Sequence, residues 1–226
     1  MWTPPPPPGF CGLRDDLLLT DAHLTLPHWR QIGATYFVTF YLHDAVSQPK
    51  VRELEQLRQE WEQAYPEPRD KQAWDRLARE TMRRVDPWLD QGVGSCLMKS
   101  PEPVQLVADA LHRSHGSRCE LGCYVIMPNH VHVVMRPLAP ESDSLDMILK
   151  HWKASSARSL NETLKTSGTL WQRETFDHIV RDAEQLWRIF QYIAANPGRA
   201  GLPEGDGRLW ISPTWIESGW RQPSLI

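Results

Sequence analysis

No run in this chain approaches the roughly 18 to 20 consecutive apolar residues that a helix needs to cross a bilayer, so no membrane span is expected. An apolar signal-peptide core is also missing. The chain starts instead with the prolines Pro4 to Pro8, which predict a stiff, solvated extension on a cytoplasmic protein. Cysteine is scarce. Cys11, Cys96, Cys119 and Cys123 are too few to scaffold 226 residues with disulfides. Cys119-x-x-x-Cys123 lacks the second half of a zinc site, so buried apolar thiols are expected. One-sided charge is missing too: a net charge of −3 and a pI near 6.3 argue against a generic nucleic-acid binder. No repeat with a period of 20–50 residues suggests a solenoid.

What remains is an ordinary composition, 41% hydrophobic and 23% charged, in a chain long enough to bury a substantial core. Gly33 to Leu42 is dense in β-branched and aromatic residues and predicts a strand, with Phe37, Thr39 and Tyr41 on one face. From Lys50 to Asp90 the pattern turns helical, with Leu54, Leu57 and Trp61 in phase and near-balanced charge, as in an inserted helical hairpin broken at Tyr65–Pro68. Asp86-Pro87 opens a connection to a helix over Pro103–His112. Strands are expected at Cys119–Ile126 and His130–Arg136, joined by a turn at Pro128-Asn129. A helix over Leu145–Leu164 follows, capped by Asp143 or Ser144, then a strand within Thr169–Val180. The last helix begins at Asp182 and ends at Asn196-Pro197-Gly198. This order predicts an α+β fold: an antiparallel sheet with helices on one face and the other face open. The expected organisation is an extension at 1–28, a central domain at 29–202 carrying the insertion, and a Trp-containing tail at 203–226.

The chemistry gathers in Tyr124–Met135. His130 and His132 are separated by Val131, and residues two apart on a strand share a face, so the imidazoles lie side by side. Two imidazoles on a rigid strand suit a divalent metal; the plainer reading is two polar residues on an amphipathic strand. On the last helix, Tyr192 and Asn196 are four residues apart and share a face. Taken singly, a tyrosine packs and an asparagine ends a helix. Together with the histidine pair they compose a phosphodiester-cleaving site: a metal on His130 and His132, Asn196 as a third oxygen ligand, and Tyr192 attacking phosphorus.

Met127-Pro-Asn-His-Val-His132 resembles the His-hydrophobe-His motif of the HUH single-strand DNA endonucleases. Trp171-Gln172, Asp177–Arg181, Tyr192–Pro197 and Ala200–Leu202 resemble the downstream blocks of the REP-associated tyrosine transposases, within the single-tyrosine transposase superfamily. The resemblance covers residues 29–42 and 95–202. It implies a ferredoxin-like core, Mg²⁺ or Mn²⁺ dependence, and cleavage and joining of single-stranded DNA near REP-like hairpins by a monomer or homodimer. It makes His130 and His132 metal ligands, Asn196 the nearby polar ligand, and Tyr192 the nucleophile that holds a 5′-phosphotyrosine. The insertion at 50–90 and the proline-rich start depart from shorter relatives.

DNA contacts are expected from Lys150, Trp152, Lys153 and Arg158, where cations alternate with an aromatic that either stacks bases or fills the core. Arg136, Arg173 and Arg181 lie near the motifs as candidate phosphate contacts. Asp177 and His178 are candidates to orient a ligand. Two competing readings stand beside the enzyme: a non-cleaving module that holds structured single-stranded nucleic acid, and a zinc hydrolase built on His130, His132 and His178.

Overall fold

The Pro128-Asn129 turn is the pivot of the sheet. In the computed structural model, which describes residues 4–23, 27–66, 71–139, 141–203, 205 and 207–221, Met127 N donates to His130 O at 2.8 Å and closes a two-residue hairpin. The chain runs β1 (Thr20–His23), β2 (Pro27–Arg30), β3 (Tyr36–Tyr41), α1 (Gln48–Ala64), α2 (Lys71–Asp90) and α3 (Pro101–His112). It continues through β4 (Cys119–Ile126), β5 (His130–Pro137), α4 (Leu145–Leu164), β6 (Phe176–Ile179), α5 (Ala183–Arg199), β7 (Leu209–Ile211) and α6 (Pro213–Glu217). Five strands form an antiparallel sheet in the order β6-β3-β5-β4-β7, and β1 and β2 pair separately as a hairpin. The expected α+β architecture with an antiparallel sheet and a helical insertion is therefore present. Ser144, of the two expected caps, accepts from Met147 N at 3.3 Å and starts α4; Asp182 does the same for α5, from Gln185 N at 2.7 Å.

Alternation along β5 divides the core. Val131, Val133 and Met135 face α3 and α4, where they pack with Val107, Leu111, Ile148 and Trp152. His130, His132 and Val134 face the other way. That second face is not open, contrary to the expectation of helices on one side only. The apolar stripe of α5 (Leu186, Ile189, Phe190 and Ile193) covers Phe37, Cys123, Val125 and Val134, and Trp215 and Trp220 extend the cover. The reason is burial. A face carrying Phe37, Val125 and Val134 needs an apolar partner, and the α5 stripe is the surface that supplies it.

The first and last described segments belong to this body. β7, inside the expected tail, pairs with β4 and extends the sheet, while Trp220 Nε1 donates to Pro5 O at 2.8 Å. The expected solvated extension instead lies along the fold: Leu13 N donates to Val180 O at 3.1 Å and Thr35 N to Cys11 O at 2.8 Å. The segment around Asp15 forms a turn. The bulge in β4 between Leu121 and Cys123 contains Gly122, where an added Cβ would stand 2.1 Å from the Trp215 indole. Only glycine lets α6 approach that closely. The insertion forms the expected pair of helices, but α2 runs through Pro87 to Asp90, past the expected break; Glu67 and Pro68 of the expected Tyr65–Pro68 hinge lie outside the described residues.

Candidate metal and tyrosine site

Second-layer hydrogen bonds decide what each imidazole can do. Asn129 Nδ2 donates to Leu89 O at 3.2 Å and Val93 O at 3.1 Å, which turns its Oδ1 toward His130 Nδ1, 2.8 Å away. A carboxamide oxygen only accepts, so Nδ1 of His130 carries the proton and Nε2 keeps a bare lone pair. That Nε2 is buried and has no hydrogen-bond partner among the described residues. His132 is anchored through the same ring atom, here by a hydroxyl that can either donate or accept. Its Nδ1 lies 2.7 Å from Thr39 Oγ1 on the neighbouring strand, and its Nε2 faces the Tyr192 hydroxyl at 3.2 Å.

Burial drives both imidazoles to the neutral form. It lowers the pKa of His130 to about 3, and it lowers that of His132 well below the ordinary range, with neighbouring His130 adding to the effect. Two neutral rings, 4.6 Å apart between centroids and each held through Nδ1, suit the Nε2 donor set of a divalent metal. The unpartnered lone pair of His130 is the observation that favours the fit.

α5 brings the tyrosine. Its stripe packs on the sheet, so Tyr192, one residue before Ile193, reaches the histidine face and meets Phe37 edge-on at 6.3 Å between centroids. Asn196, one turn on, is buried beside it and donates through Nδ2 to Tyr192 O at 2.8 Å. The Arg199 guanidinium lies 5.9 Å from the centre of the Tyr192 ring and 3.6 Å from Asp90. Burial raises the phenol's pKa above its usual value and Asp86 and Asp90 raise it further, opposed by Asn196 and Arg199. Tyr192 is therefore a neutral phenol whose ionisation needs help. Tyr124, the other tyrosine of the histidine hairpin, lies on the opposite face of the sheet, stacked on Trp210 and 3.0 Å from His112 Nε2.

The remaining expected residues separate into three groups. Lys150, Arg158, Arg173 and Arg181 lie at the surface. Arg136 shares the histidine face but pairs with Glu120 at 2.7 Å, at the end of β5 lined by Pro8 and Phe10. Trp152, Lys153 and Asp177 are corrections. Trp152 is wholly buried in the core and cannot stack a base. Lys153 Nζ donates to the carbonyls of Gln172, Arg173 and Glu174 at 2.8–3.2 Å, and burial lowers its pKa to about 8. It ties a loop to α4.

Asp177 faces away from the histidines, because it pairs in register with Val38 while His178 pairs with Phe37. It receives Arg30 and His28, each at 2.5 Å; burial works to lower the His28 pKa, but Asp177 and Glu174 outweigh it and raise it to about 9, and the pairing docks β2 on β6. His178 does lie on the site face, edge-on to Phe37 at 5.4 Å, with Phe37 in turn stacked on His132. Among the described residues no group of three His, Cys, Asp or Glu side chains could hold a metal, so the three-histidine zinc reading gains no support. Thr39 and the orienting role of Asn129 escaped the sequence reading. Asn129 was visible only as a turn former, and Thr39 becomes a partner of His132 only through cross-strand register.

This geometry has relatives. Residues 108–196, which span α3 to the Tyr192–Asn196 turn of α5, match the family described as "Transposase IS200 like". Over that segment the chain is similar to the IS200-like transposases. A curated uncharacterized protein of Haemophilus influenzae is 29% identical to it over 33% of this chain and 52% of that protein, so the chain spans about half the length of this relative. A solved REP-associated tyrosine transposase bound to a REP hairpin is similar over 77% of this chain and 73% of its own, at 15% identity and a TM-score of 0.40. The matched segment contains His130, His132, Tyr192 and Asn196; β3, which contributes Phe37 and Thr39, precedes it. No helix among the described residues is long and apolar enough to cross a membrane.

Proposed function

We propose that this transposase relative cleaves and rejoins single-stranded DNA near hairpins, with Tyr192 as nucleophile and a 5′-phosphotyrosine as intermediate. The observation that carries this reading is the 3.2 Å approach of the Tyr192 hydroxyl to His132 Nε2, beside the unpartnered Nε2 of His130. His130 and His132 would hold Mg²⁺ or Mn²⁺ through Nε2, with Asn196 as the nearby oxygen donor. When bound, such an ion polarises the phosphate and offsets developing negative charge. Thr39 and Asn129 fix the ring orientations, Phe37 walls the site, and α5 holds the phenol in line of reach. Attack by Oη forms the Oη–P bond and breaks the bond from phosphorus to the 3′ oxygen. Reversal with a different 3′ hydroxyl joins strands. Exposed Lys150, Arg158, Arg173 and Arg181 are the proposed backbone contacts.

The test is a labelled hairpin oligonucleotide with a single-stranded flank, incubated with Mn²⁺ and run on a denaturing protein gel. A covalent adduct with the native chain, lost in Tyr192→Phe while hairpin binding persists, supports the reading. Hairpin binding without any adduct replaces it with the non-cleaving module.

A further inference from the structure

The insertion reaches the site. α2 ends against the histidine hairpin, where the carbonyls of Leu89 and, just beyond the helix, Val93 accept from Asn129, the residue that orients His130. One helical turn before Asp90, and so on the same face, stands Asp86. Asp90 pairs with Arg199, whose guanidinium lies over the Tyr192 ring, so this face of α2 is turned toward the tyrosine face of α5. Asp86 Oδ1 is buried and has no hydrogen-bond partner among the described residues. A buried carboxylate oxygen left unpaired is costly and calls for a purpose.

The proposed reaction supplies one. The hydroxyl of Tyr192 must lose its proton as it attacks phosphorus, and its hydrogen-bond partner, His132 Nε2, is the atom proposed to hold a metal. A lone pair given to a metal cannot also take a proton. Asp90 is engaged by Arg199. We propose that Asp86, supplied by the inserted helix, is the proton acceptor for Tyr192 in strand cleavage. In that step the Tyr192 O–H bond breaks with its proton passing to the Asp86 carboxylate, the Oη–P bond forms, and the bond to the 3′ oxygen breaks. The departing 3′ oxygen, on the far side of phosphorus from Oη, takes its proton from water, and rejoining returns the Asp86 proton to Tyr192.

The electrostatic surroundings are consistent with this role. Burial, followed by Asp90, raises the Asp86 pKa to about 7, against the opposing pull of Arg199. The groups felt by this carboxyl are Asp90 on its own helix and Arg199 on α5, and its charge in turn acts on Tyr192. A carboxyl that exchanges its proton near neutrality suits both halves of a reversible transfer.

This inference rests on the proposed function, and the experiment separates the two. Single-turnover adduct formation with Mn²⁺ and the hairpin oligonucleotide is followed from pH 5.5 to 9 for the native chain, Asp86→Asn and Asp86→Glu. The native rate is expected to rise through an inflection near pH 7. In Asp86→Asn it falls about 100-fold at the plateau and loses that inflection, with hairpin affinity unchanged. Asp86→Glu recovers part of the rate together with the inflection. An Asp86→Asn rate within threefold of native, or a slowed rate with the same inflection, overturns the role of Asp86 while leaving Tyr192 as nucleophile. No adduct from the native chain overturns the proposed function and this role together. If Asp86→Asn fails to fold, Asp86→Glu decides: a tenfold drop with the inflection retained supports the role, and a native rate overturns it.

Discussion

Trp152 offers the sharpest test of how the sheet and its helices are held together. On a helix that also carries Lys150, Lys153 and Arg158, an indole serves equally well to stack a base or to fill a core. In the structure it is 0% exposed, enclosed by α3, α4 and the Val131–Val133–Met135 face of β5. A buried tryptophan removes about 150–250 Å² from water, worth roughly 4–6 kcal/mol at 25 cal/mol/Å². Truncation of such a residue costs about 3–5 kcal/mol once the cavity partly relaxes. Trp152→Ala is therefore expected to remove a substantial part of a typical stability of about 5–15 kcal/mol. Trp152→Phe costs less, about 1–2 kcal/mol, because the Trp152 N–H is itself buried without a partner among the described residues and its removal returns part of the packing loss. Urea unfolding followed by fluorescence and circular dichroism reads both, as a shift of the midpoint at constant slope. A base-stacking Trp152 gives the opposite pattern: native stability, and hairpin affinity weakened by about 1–3 kcal/mol. Native midpoints in both variants would refute the core assignment.

Three further outcomes follow from the same geometry. Thr39→Val and Asn129→Ala each remove the partner of one Nδ1, so Mn²⁺ affinity measured by calorimetry is expected to fall about 10- to 100-fold while the fold persists; unchanged affinity would mean that ring orientation is set elsewhere. His28 has its folded pKa raised to about 9 from 6.5, so its contribution is complete below about pH 6.5 and is lost as the pH rises through 9. Urea midpoints should thus fall between pH 7 and 10 by up to about 3 kcal/mol more in the native chain than in His28→Asn, and parallel profiles would contradict the Asp177 pairing. Gly122→Ala sets a Cβ against the Trp215 indole and is expected to cost about 1–3 kcal/mol, read as a lowered thermal midpoint; a neutral result would show that α6 is free to shift.

Local pattern was enough for most elements. Alternation in Tyr36–Tyr41 and His130–Pro137, the apolar stripes of α4 and α5, and the turn chemistry of Pro128-Asn129 are short-range signals, and each element formed within a few residues of its expected place. Pro87 misled, because a proline near the end of a helix forfeits only one hydrogen bond, and packing of Val85 and Leu89 in the core carries α2 on to Asp90. The tail carries little local signal for a different reason. Three residues of β7 hold no periodicity worth reading, and only the unpaired edge of β4 gives them a strand to join.

The sequence by itself determined that two histidines share a strand face and that a tyrosine and an asparagine share a helix face, since both follow from the repeat of the backbone. Tertiary structure alone decided that those two faces meet. The meeting is arranged by side chains with no chemistry of their own: Phe37 and Val134 on the sheet, Leu186, Phe190 and Ile193 on α5. Apolar burial has no direction and no preferred partner, so it leaves no motif for a reader to find. The same applies to Thr39, which becomes a partner of His132 through register, and to Asp86, which shares a helix face with Asp90, the partner of the Arg199 that lies over the Tyr192 ring.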